Sequence, residues 1–337
     1  MGTVKQMDLD ALTTARRAEW ERLNALGRAR RLSGEDVDEL ITRYRAASAD
    51  LGDIKTSVGR TAHGDHLSLL LARARRRLTS PAGAPLARIP AFAARQLPAA
   101  LYRLRWTTLV VAVAFLLIGG TVAAWISTDP VLLAALGSDA DLRYYAENQF
   151  ADYYSENPAA VFAGTVWTNN AWIAAQSVLF GITGFWPVMV LIQNAVTTGT
   201  AAAVLISFGH ADTFALFILP HGQLELTSVF VAVAAGLHLF WSWVAPGPRT
   251  RTAALASEGR AVATIAIGLV FVLAVAGLIE GFVTAQPWPW PVKIGIGSAA
   301  LAAFLVYMLV LGRHAFREGE TGDLDEADTG TPQLSVG

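Results

Sequence analysis

The chain has 337 residues, of which 53% are hydrophobic and 16% are charged, and its mean hydropathy is +0.42. Several apolar runs reach the roughly 18 to 20 residues that a helix needs to cross a bilayer. The composition therefore predicts an all-α polytopic membrane helix bundle with soluble parts attached. The absence of cysteine excludes disulfides, thiolate metal sites and a cysteine nucleophile. The net charge of −1 hides an asymmetry, because residues 1–105 hold 19 Lys and Arg against 11 Asp and Glu.

Residues 1–80 are predicted to form a cytoplasmic helical region. Ser33 is a suitable N-cap, and Asp36 follows it three residues later at the start of an amphipathic pattern. Residues 81–106 are predicted to be a linker and a helix lying on the inner leaflet, because Arg alternates there with large apolar residues. An ordinary lead-in to the first span is the alternative.

We interpret the basic run 73–77 as facing the membrane rather than nucleic acid. The polar N-terminus predicts no signal peptide.

Residues 107–312 are predicted to be the transmembrane bundle. The apolar pattern predicts six spans, at about 107–126, 159–180, 185–208, 214–244, 261–284 and 294–312. Small residues in 197–203 and 232–236 favour close packing between helices.

The distribution of basic residues predicts that both termini lie in the cytoplasm of a bacterial plasma membrane. The Arg-rich N-terminal region and the loop with Arg249, Arg251 and Arg260 stay inside under the positive-inside rule. Segment 127–158, with six acidic residues and one basic residue, then falls outside. The acidic tail, 313–337, is predicted to be disordered and cytoplasmic.

The extracytoplasmic segment 127–158 is too long for a tight turn and is rich in aromatic residues. Two interpretations are open: the segment covers the end of the bundle, which we favour, or it docks a protein or sugar-polymer partner. The partner surface would consist of Tyr144, Tyr145, Phe150, Tyr153 and Tyr154.

Polar residues lie within the predicted spans, where lipid would not solvate them. Residues His221 and Glu225 are four apart and therefore share one helix face. We expect the polar residues to face the bundle interior or a wet cavity. The candidate site, whose role is unassigned, consists of His221, Gly222, Glu225, Glu280, Asn194, Asn169 and Asn170.

Pro220 predicts a break in the fourth span. Proline removes a backbone donor and disfavours a straight helix, and this span is about ten residues longer than one crossing needs. A short hairpin or broken helix over 214–222 would explain both features, because such breaks are tolerated inside protein or beside a cavity.

Three roles for His221 and Glu225 remain open. They could form a hydrogen-bonded pair that fixes helix packing, a proton- or ion-coupled site, or a metal site with Glu280 as the third ligand. The spacing H-x-x-x-E differs from the H-E-x-x-H of zinc proteases. No Walker, Rossmann or Ser-His-Asp pattern appears, so we predict no catalytic residues, no metal and no cofactor.

Several runs of sequence resemble the stage II sporulation protein M family of bacterial integral membrane proteins. These runs are FGITGFWPVMVLIQNAVTTG (180–199), LPHGQLEL (219–226), AAGL (234–237) and LIEGF (278–282), and ITRYRAASADL (41–51) is similar to the soluble lead-in of actinobacterial-type members. The resemblance implies a multi-pass plasma-membrane protein with no established enzymatic activity. It places His221, Gly222, Glu225, Asn194 and Glu280 at matching positions without assigned chemistry. It also implies peptidoglycan-degrading partners, which the family's namesake is thought to anchor or localise during forespore engulfment.

The sequence thus predicts a non-enzymatic scaffold or anchor in a cell-envelope or peptidoglycan-remodelling assembly. Its partners would be the lipid bilayer and envelope or cell-wall remodelling proteins, with a homo-oligomer as a further option and no nucleic acid. A transporter or lipid flippase with a buried His/Glu site is the alternative. An intramembrane hydrolase is less well supported.

Overall fold

The computed structural model describes residues 9–29, 32–59, 61–79 and 89–323, and these residues form helices and no β-strand. The chain divides into two compact units after Leu86. The predicted all-α fold is therefore confirmed.

The described residues of the first unit form three helices, α1 (Leu9–Arg28), α2 (Gly34–Ser57) and α3 (Ala62–Thr79). The side chain of Ser33 accepts a hydrogen bond from the Asp36 backbone, and the Asp36 carboxylate accepts one from the Ser33 backbone at 3.0 Å. This capping box confirms the predicted start of α2. All three helices contribute to one apolar core, whose members include Trp20, Leu23, Leu26, Leu40, Ile54, Leu67 and Leu70.

The second unit is a helix bundle. It opens with a short helix, Ile89–Ala91, and a π-helical turn, Phe92–Gln96. The helices that follow are α4 (Leu97–Arg103), α5 (Arg105–Thr128), α6 (Pro130–Leu136), α7 (Asp139–Tyr144), α8 (Ala159–Leu179), α9 (Phe185–Ser207), α10 (Ala211–Val244), α11 (Arg251–Ile279), α12 (Trp290–Val306) and α13 (Gly312–Arg317). Helix α10 lies centrally and packs against α5, α8, α9, α11 and α12.

Five helical segments of the described chain are long and apolar enough to cross a membrane. They are Arg105–Thr128, Phe185–Ser207, Ala211–Val244, Arg251–Thr284 and Trp290–Arg317. The remaining predicted span, 159–180, forms α8. Helix α8 is not among the five because it carries several polar side chains, including Asn169 and Asn170.

Packing nevertheless makes α8 part of the bundle, with one face buried from Phe162 to Ser177. Gly281, in the turn after α11, lies against the Ala159 carbonyl at the start of α8, and Gly277 lies against Ala163 one turn further on. Beyond these contacts, the Trp167 indole donates to the Val270 carbonyl oxygen at 3.0 Å. Helix α8 therefore runs antiparallel to α11, one of the membrane-spanning helices.

The predicted close packing of small residues occurs between α5 and α9. A side-chain carbon on Gly199 would collide with the carbonyl oxygen of Gly119, so the two backbones are in direct contact. Such an approach is possible only where both helices carry glycine or similarly small residues.

The predicted break at Pro220 is wrong, because Pro220 lies inside α10, a continuous helix of 34 residues. The missing proline donor costs one backbone hydrogen bond. Packing holds the helix at this point, since the Pro220 carbonyl lies directly against Gly297 of α12, where any side chain would collide. The length of α10, about 51 Å at 1.5 Å per residue, is therefore accommodated without a hairpin.

Two predicted boundary segments belong to the bundle instead. The segment predicted to lie on the leaflet or lead into the first span was 81–106, of which 81–88 lie outside the described residues. Its described part, 89–106, buries Leu97, Leu101 and Leu104 in the bundle core. The tail predicted to be disordered from residue 313 is helical to Arg317. Beyond that helix, the Asp323 carboxylate accepts a 2.7 Å hydrogen bond from Arg260. Residues 324–337 of the predicted tail lie outside the described part of the chain.

Candidate polar site in the membrane bundle

A cavity of about 450 Å³ lies between α8, α10 and the turn that follows α11. It is at the end of the bundle that carries the acidic segment 129–158. The residues around it are Tyr153, Tyr154, Thr165, Val166, Asn169, Asn170, Ile218, His221, Glu225 and Glu280. The structure thus gathers most of the predicted polar residues around one space.

Three of these residues form what we call the carboxyl cluster: His221, Glu225 and Glu280. One potential ligand atom from each lies within 4.8 Å of the other two. His221 and Glu225 come from one face of α10, as their spacing predicts, and Glu280 begins the π-helical turn Glu280–Thr284. The His221 Nε2 atom is 3.7 Å from Glu280 Oε1.

Two residues absent from the predicted site, Thr284 and Lys293, extend the contacts of His221. His221 Nδ1 is 3.1 Å from the Thr284 hydroxyl, and both side chains are buried. The buried Lys293 ammonium donates to the Thr284 carbonyl oxygen at 2.7 Å, which ties the start of α12 to the same turn. A signal for Lys293 existed in the sequence, because it is the sole Lys or Arg between Arg260 and Arg313.

The three predicted asparagines have different surroundings. Asn170 is buried and faces the Glu225 carboxyl, whereas Asn169 is exposed on the cavity wall. Asn194 is not at the cavity, because it lies on α9 and its amide donates to the Val190 carbonyl oxygen at 2.8 Å. Gly222 is buried beside His221 but does not line the cavity.

The aromatic residues of segment 127–158 fall into two groups, those that pack against the bundle and those that stay exposed. Phe150 and Tyr154 are buried in a cluster with Phe162, Val166 and Leu205, so they are not available as a partner surface. Tyr145 is partly buried against that cluster. Tyr144 and Tyr153 remain exposed, at 60% and 50%.

Tyr154 connects this covering segment to the carboxyl cluster. Its ring centroid is 5.9 Å from that of His221. Burial, followed by the nearby Glu280 and Glu225 carboxylates, raises the pKa of the Tyr154 phenol well above its ordinary value. The same three causes raise the pKa of Tyr153. Both phenols therefore stay neutral at physiological pH.

The carboxyl groups of the carboxyl cluster are incompletely paired. Oε2 of Glu225 and Oε2 of Glu280 are buried without a hydrogen-bond partner. Among the described residues, no Lys or Arg forms an ion pair with either carboxylate. An arrangement of this kind can hold a proton or a cation, because two carboxylates in an apolar setting need a positive charge.

The comparisons with known families divide the chain at nearly the same place as the structure. The model of the family described as Stage II sporulation protein M matches residues 107–285, and that of a domain of unknown function, DUF8413, matches residues 10–80. Residues 41–51 thus fall in a separate domain family. No curated protein and no solved structure matches the chain. The family match covers 107–285, more than half of the 337 residues, and includes His221, Glu225 and Glu280, so the chain belongs to the stage II sporulation protein M family.

Proposed function

We propose that this protein is a non-enzymatic membrane scaffold or anchor in an assembly that remodels the bacterial cell envelope and its peptidoglycan. The observation that carries the proposal is a three-helix unit with its own core, attached to a membrane bundle of the stage II sporulation protein M family. A membrane bundle supplies a fixed location, and a separate soluble unit supplies a surface for partners.

The proposal includes an orientation with both termini in the cytoplasm of the plasma membrane. It is supported by the excess of basic residues before residue 106, since such residues stay on the cytoplasmic side. The acidic segment 127–158 is then extracytoplasmic. Tyr144 and Tyr153 are its exposed aromatic contacts for an envelope partner, because aromatic side chains are enriched in protein interfaces.

Co-purification from native membranes tests the scaffold. The full chain, tagged and extracted in mild detergent, is expected to bring envelope or cell-wall remodelling proteins in a defined ratio. A variant carrying both Tyr144→Ala and Tyr153→Ala should lose the partner that binds this segment. Asn148→Ala, an exposed change in the same segment, is the matched control and should retain it. Recovery of a homo-oligomer with no other protein would contradict the scaffold.

Transport of an ion or a lipid-linked substrate is the second candidate, and the carboxyl cluster beside the 450 Å³ cavity favours it. Buried ionisable residues in membrane helices often mark ion or substrate pathways. In liposomes with a pH gradient, wild-type protein should then move ions or lipid-linked substrates, and Glu225→Gln should abolish the movement without unfolding the bundle. Inactivity of the folded wild type towards both would exclude this candidate.

A further inference from the structure

The carboxyl cluster has the donor atoms and the convergence of a metal site. One imidazole nitrogen and two carboxylate oxygens approach one another within 4.8 Å, from α10 and from the turn after α11. Ligand atoms around a single zinc-type ion are roughly 3.5 Å apart, given metal–ligand distances near 2.1 Å. Small rotations of the side chains are therefore enough to close the three groups on one ion.

The hydrogen bonds of Thr284 indicate which nitrogen of His221 is free. The Thr284 hydroxyl lies 3.4 Å from the Ile279 carbonyl oxygen, to which it can donate; its own oxygen can then accept the proton of His221 Nδ1 at 3.1 Å. Nε2 then carries a lone pair, and this lone pair faces Glu280 Oε1 at 3.7 Å. A lone pair opposite a carboxylate is repulsive unless a proton or a cation lies between them.

Glu280 supplies a second, independent indication of a ligand. Its side chain is only 5% exposed, and its Oε2 atom lacks a hydrogen-bond partner. An unpaired carboxylate is very costly at such a position, because burial removes the water that would solvate it. A divalent cation would balance the charge of both carboxylates and leave the cluster neutral.

We propose that His221, Glu225 and Glu280 bind one divalent transition-metal ion, with Zn²⁺ as the first choice. An imidazole with two carboxylates is a common donor set for zinc. Thr284 orients the histidine from outside the coordination sphere, as hydrogen-bonded neighbours of metal ligands usually do. Because the three ligands line a cavity, a fourth coordination position remains open to water or to a substrate. This assignment is independent of the scaffold proposal.

The test is metal binding to the full chain in detergent after removal of metal with a chelator. Zn²⁺ alone is added and its affinity measured by titration calorimetry, with Mn²⁺ and Mg²⁺ in parallel. Wild-type protein should bind about one Zn²⁺ tightly. Glu225→Gln and Glu280→Gln should each weaken this binding at least ~100-fold, which is more than the loss of a residue that only hydrogen-bonds to a ligand causes. Thr284→Val should weaken it by about 10- to 100-fold.

Matched controls separate this site from adventitious binding by surface histidines. Asp212→Asn makes the same chemical change at an exposed position of α10 and should leave the affinity unchanged. Replacing both His63 and His66 in the first unit with Ala should also leave the tight site intact. If Glu280→Gln is folded and binds Zn²⁺ as tightly as wild type, the assignment is wrong. It is equally wrong if wild type binds neither Zn²⁺ nor Mn²⁺.

Thermal unfolding provides a second readout. Zn²⁺ should raise the midpoint of the wild type and of Asp212→Asn, because a ligand that binds only the folded state stabilises it. It should not move the midpoint of Glu280→Gln. If the glutamate variants fail to fold, Thr284→Val decides the matter, and an unchanged Zn²⁺ affinity in that variant would overturn the role given to Thr284 and His221.

Discussion

Buried acidic side chains near the two ends of α11 differ in whether they have basic partners. In its third turn, Glu258 is ion-paired with Arg103 of α4, and Arg260 is ion-paired with Asp323. About 33 Å further along the helix, Glu280 has another carboxyl group and an imidazole beside it. The described chain thus supplies guanidinium partners at one end and none at the other.

This difference separates structural charges from charges kept for another purpose. Each ion pair at the first end joins α11 to a neighbouring segment, so its charges are satisfied by the fold itself. Removing one partner of such a pair leaves an uncompensated buried charge and destabilises the fold. The carboxyl cluster already lacks a basic partner, so removal of one of its acidic groups should stabilise the fold instead. Any cation for it must come from outside the chain.

The largest expected effect comes from breaking the Arg103–Glu258 pair. Glu258→Gln should lower the free energy of unfolding by about 3 kcal/mol, the low end of the range for buried pairs, because the Arg103 side chain is still 24% exposed. Denaturant unfolding of the detergent-solubilised chain measures it. Changing Arg103 to Met together with Glu258 to Leu should recover most of the loss. Equal stability of Glu258→Gln and wild type would remove the contrast between the two ends.

At the other end of α11, Glu280→Gln should stabilise the protein when metal has been removed by a chelator. The change replaces a buried carboxylate whose Oε2 atom lacks a hydrogen-bond partner, and relief of such an atom is worth about 1 to 2 kcal/mol. The same denaturant experiment applies, with Asp212→Asn as the control that alters an exposed carboxyl on α10. Destabilisation of the metal-free protein would show that Glu280 has a structural partner after all.

Sequence spacing was sufficient to predict part of this site. A separation of four residues placed His221 and Glu225 on one helix face, and the apolar surroundings of Glu280 marked it as a buried acid. Thr284 and Lys293 were missed because a connection leaving the helix brings them together, and helical periodicity does not describe connections. Asn194 was included wrongly, since depth in a span does not specify which neighbour a side chain faces.

The fold shows the same limits at Pro220 and in the aromatic segment. Local chemistry predicts a break at Pro220, but contact with Gly297 across the bundle stabilises the continuous helix. The aromatic residues of segment 127–158 left two roles open, covering the bundle and docking a partner. Packing against α8 and α10 shows that Phe150 and Tyr154 cover the bundle, and docking by the exposed rings stays a prediction. Both features, the continuous helix at Pro220 and the burial of Phe150 and Tyr154, depend on long-range packing, which local sequence patterns do not describe.

A smaller effect is expected at Tyr154, which lies between the covering segment and the carboxyl cluster. Its raised pKa means that the folded state favours the neutral phenol. The resulting stability is fully present below the ordinary pKa of 10.0 and is lost as pH rises above it. Tyr154→Phe should therefore lessen the loss of stability between pH 10 and 12 and have little effect near pH 7. Thermal midpoints across this range measure it, and identical alkaline profiles would contradict the placement of Tyr154 beside the carboxylates.

The smallest effect is expected where paired charges are exposed to water, on the first unit. Glu39 accepts hydrogen bonds of 2.7 Å from Arg22 and from Arg43, and the Arg22 bond followed by the Arg43 bond lowers the pKa of Glu39 to about 2. Because this folded-state value lies below the ordinary 4.5, the contribution is present above pH 4.5 and is lost as pH falls towards about 2.

Glu39→Gln should therefore remove part of the acid sensitivity of the first unit and change little at neutral pH, because exposed ion pairs are weak and screened by salt. Hydrogen exchange of peptides from α1 and α2, compared between variant and wild type at each pH, resolves this unit from the bundle. Asp53→Asn, an exposed change on the same helix, should leave the profile as it is. A loss at pH 7 as large as that of Glu258→Gln would mean that exposure to water does not weaken the charge pair, and burial would no longer explain the contrast along α11.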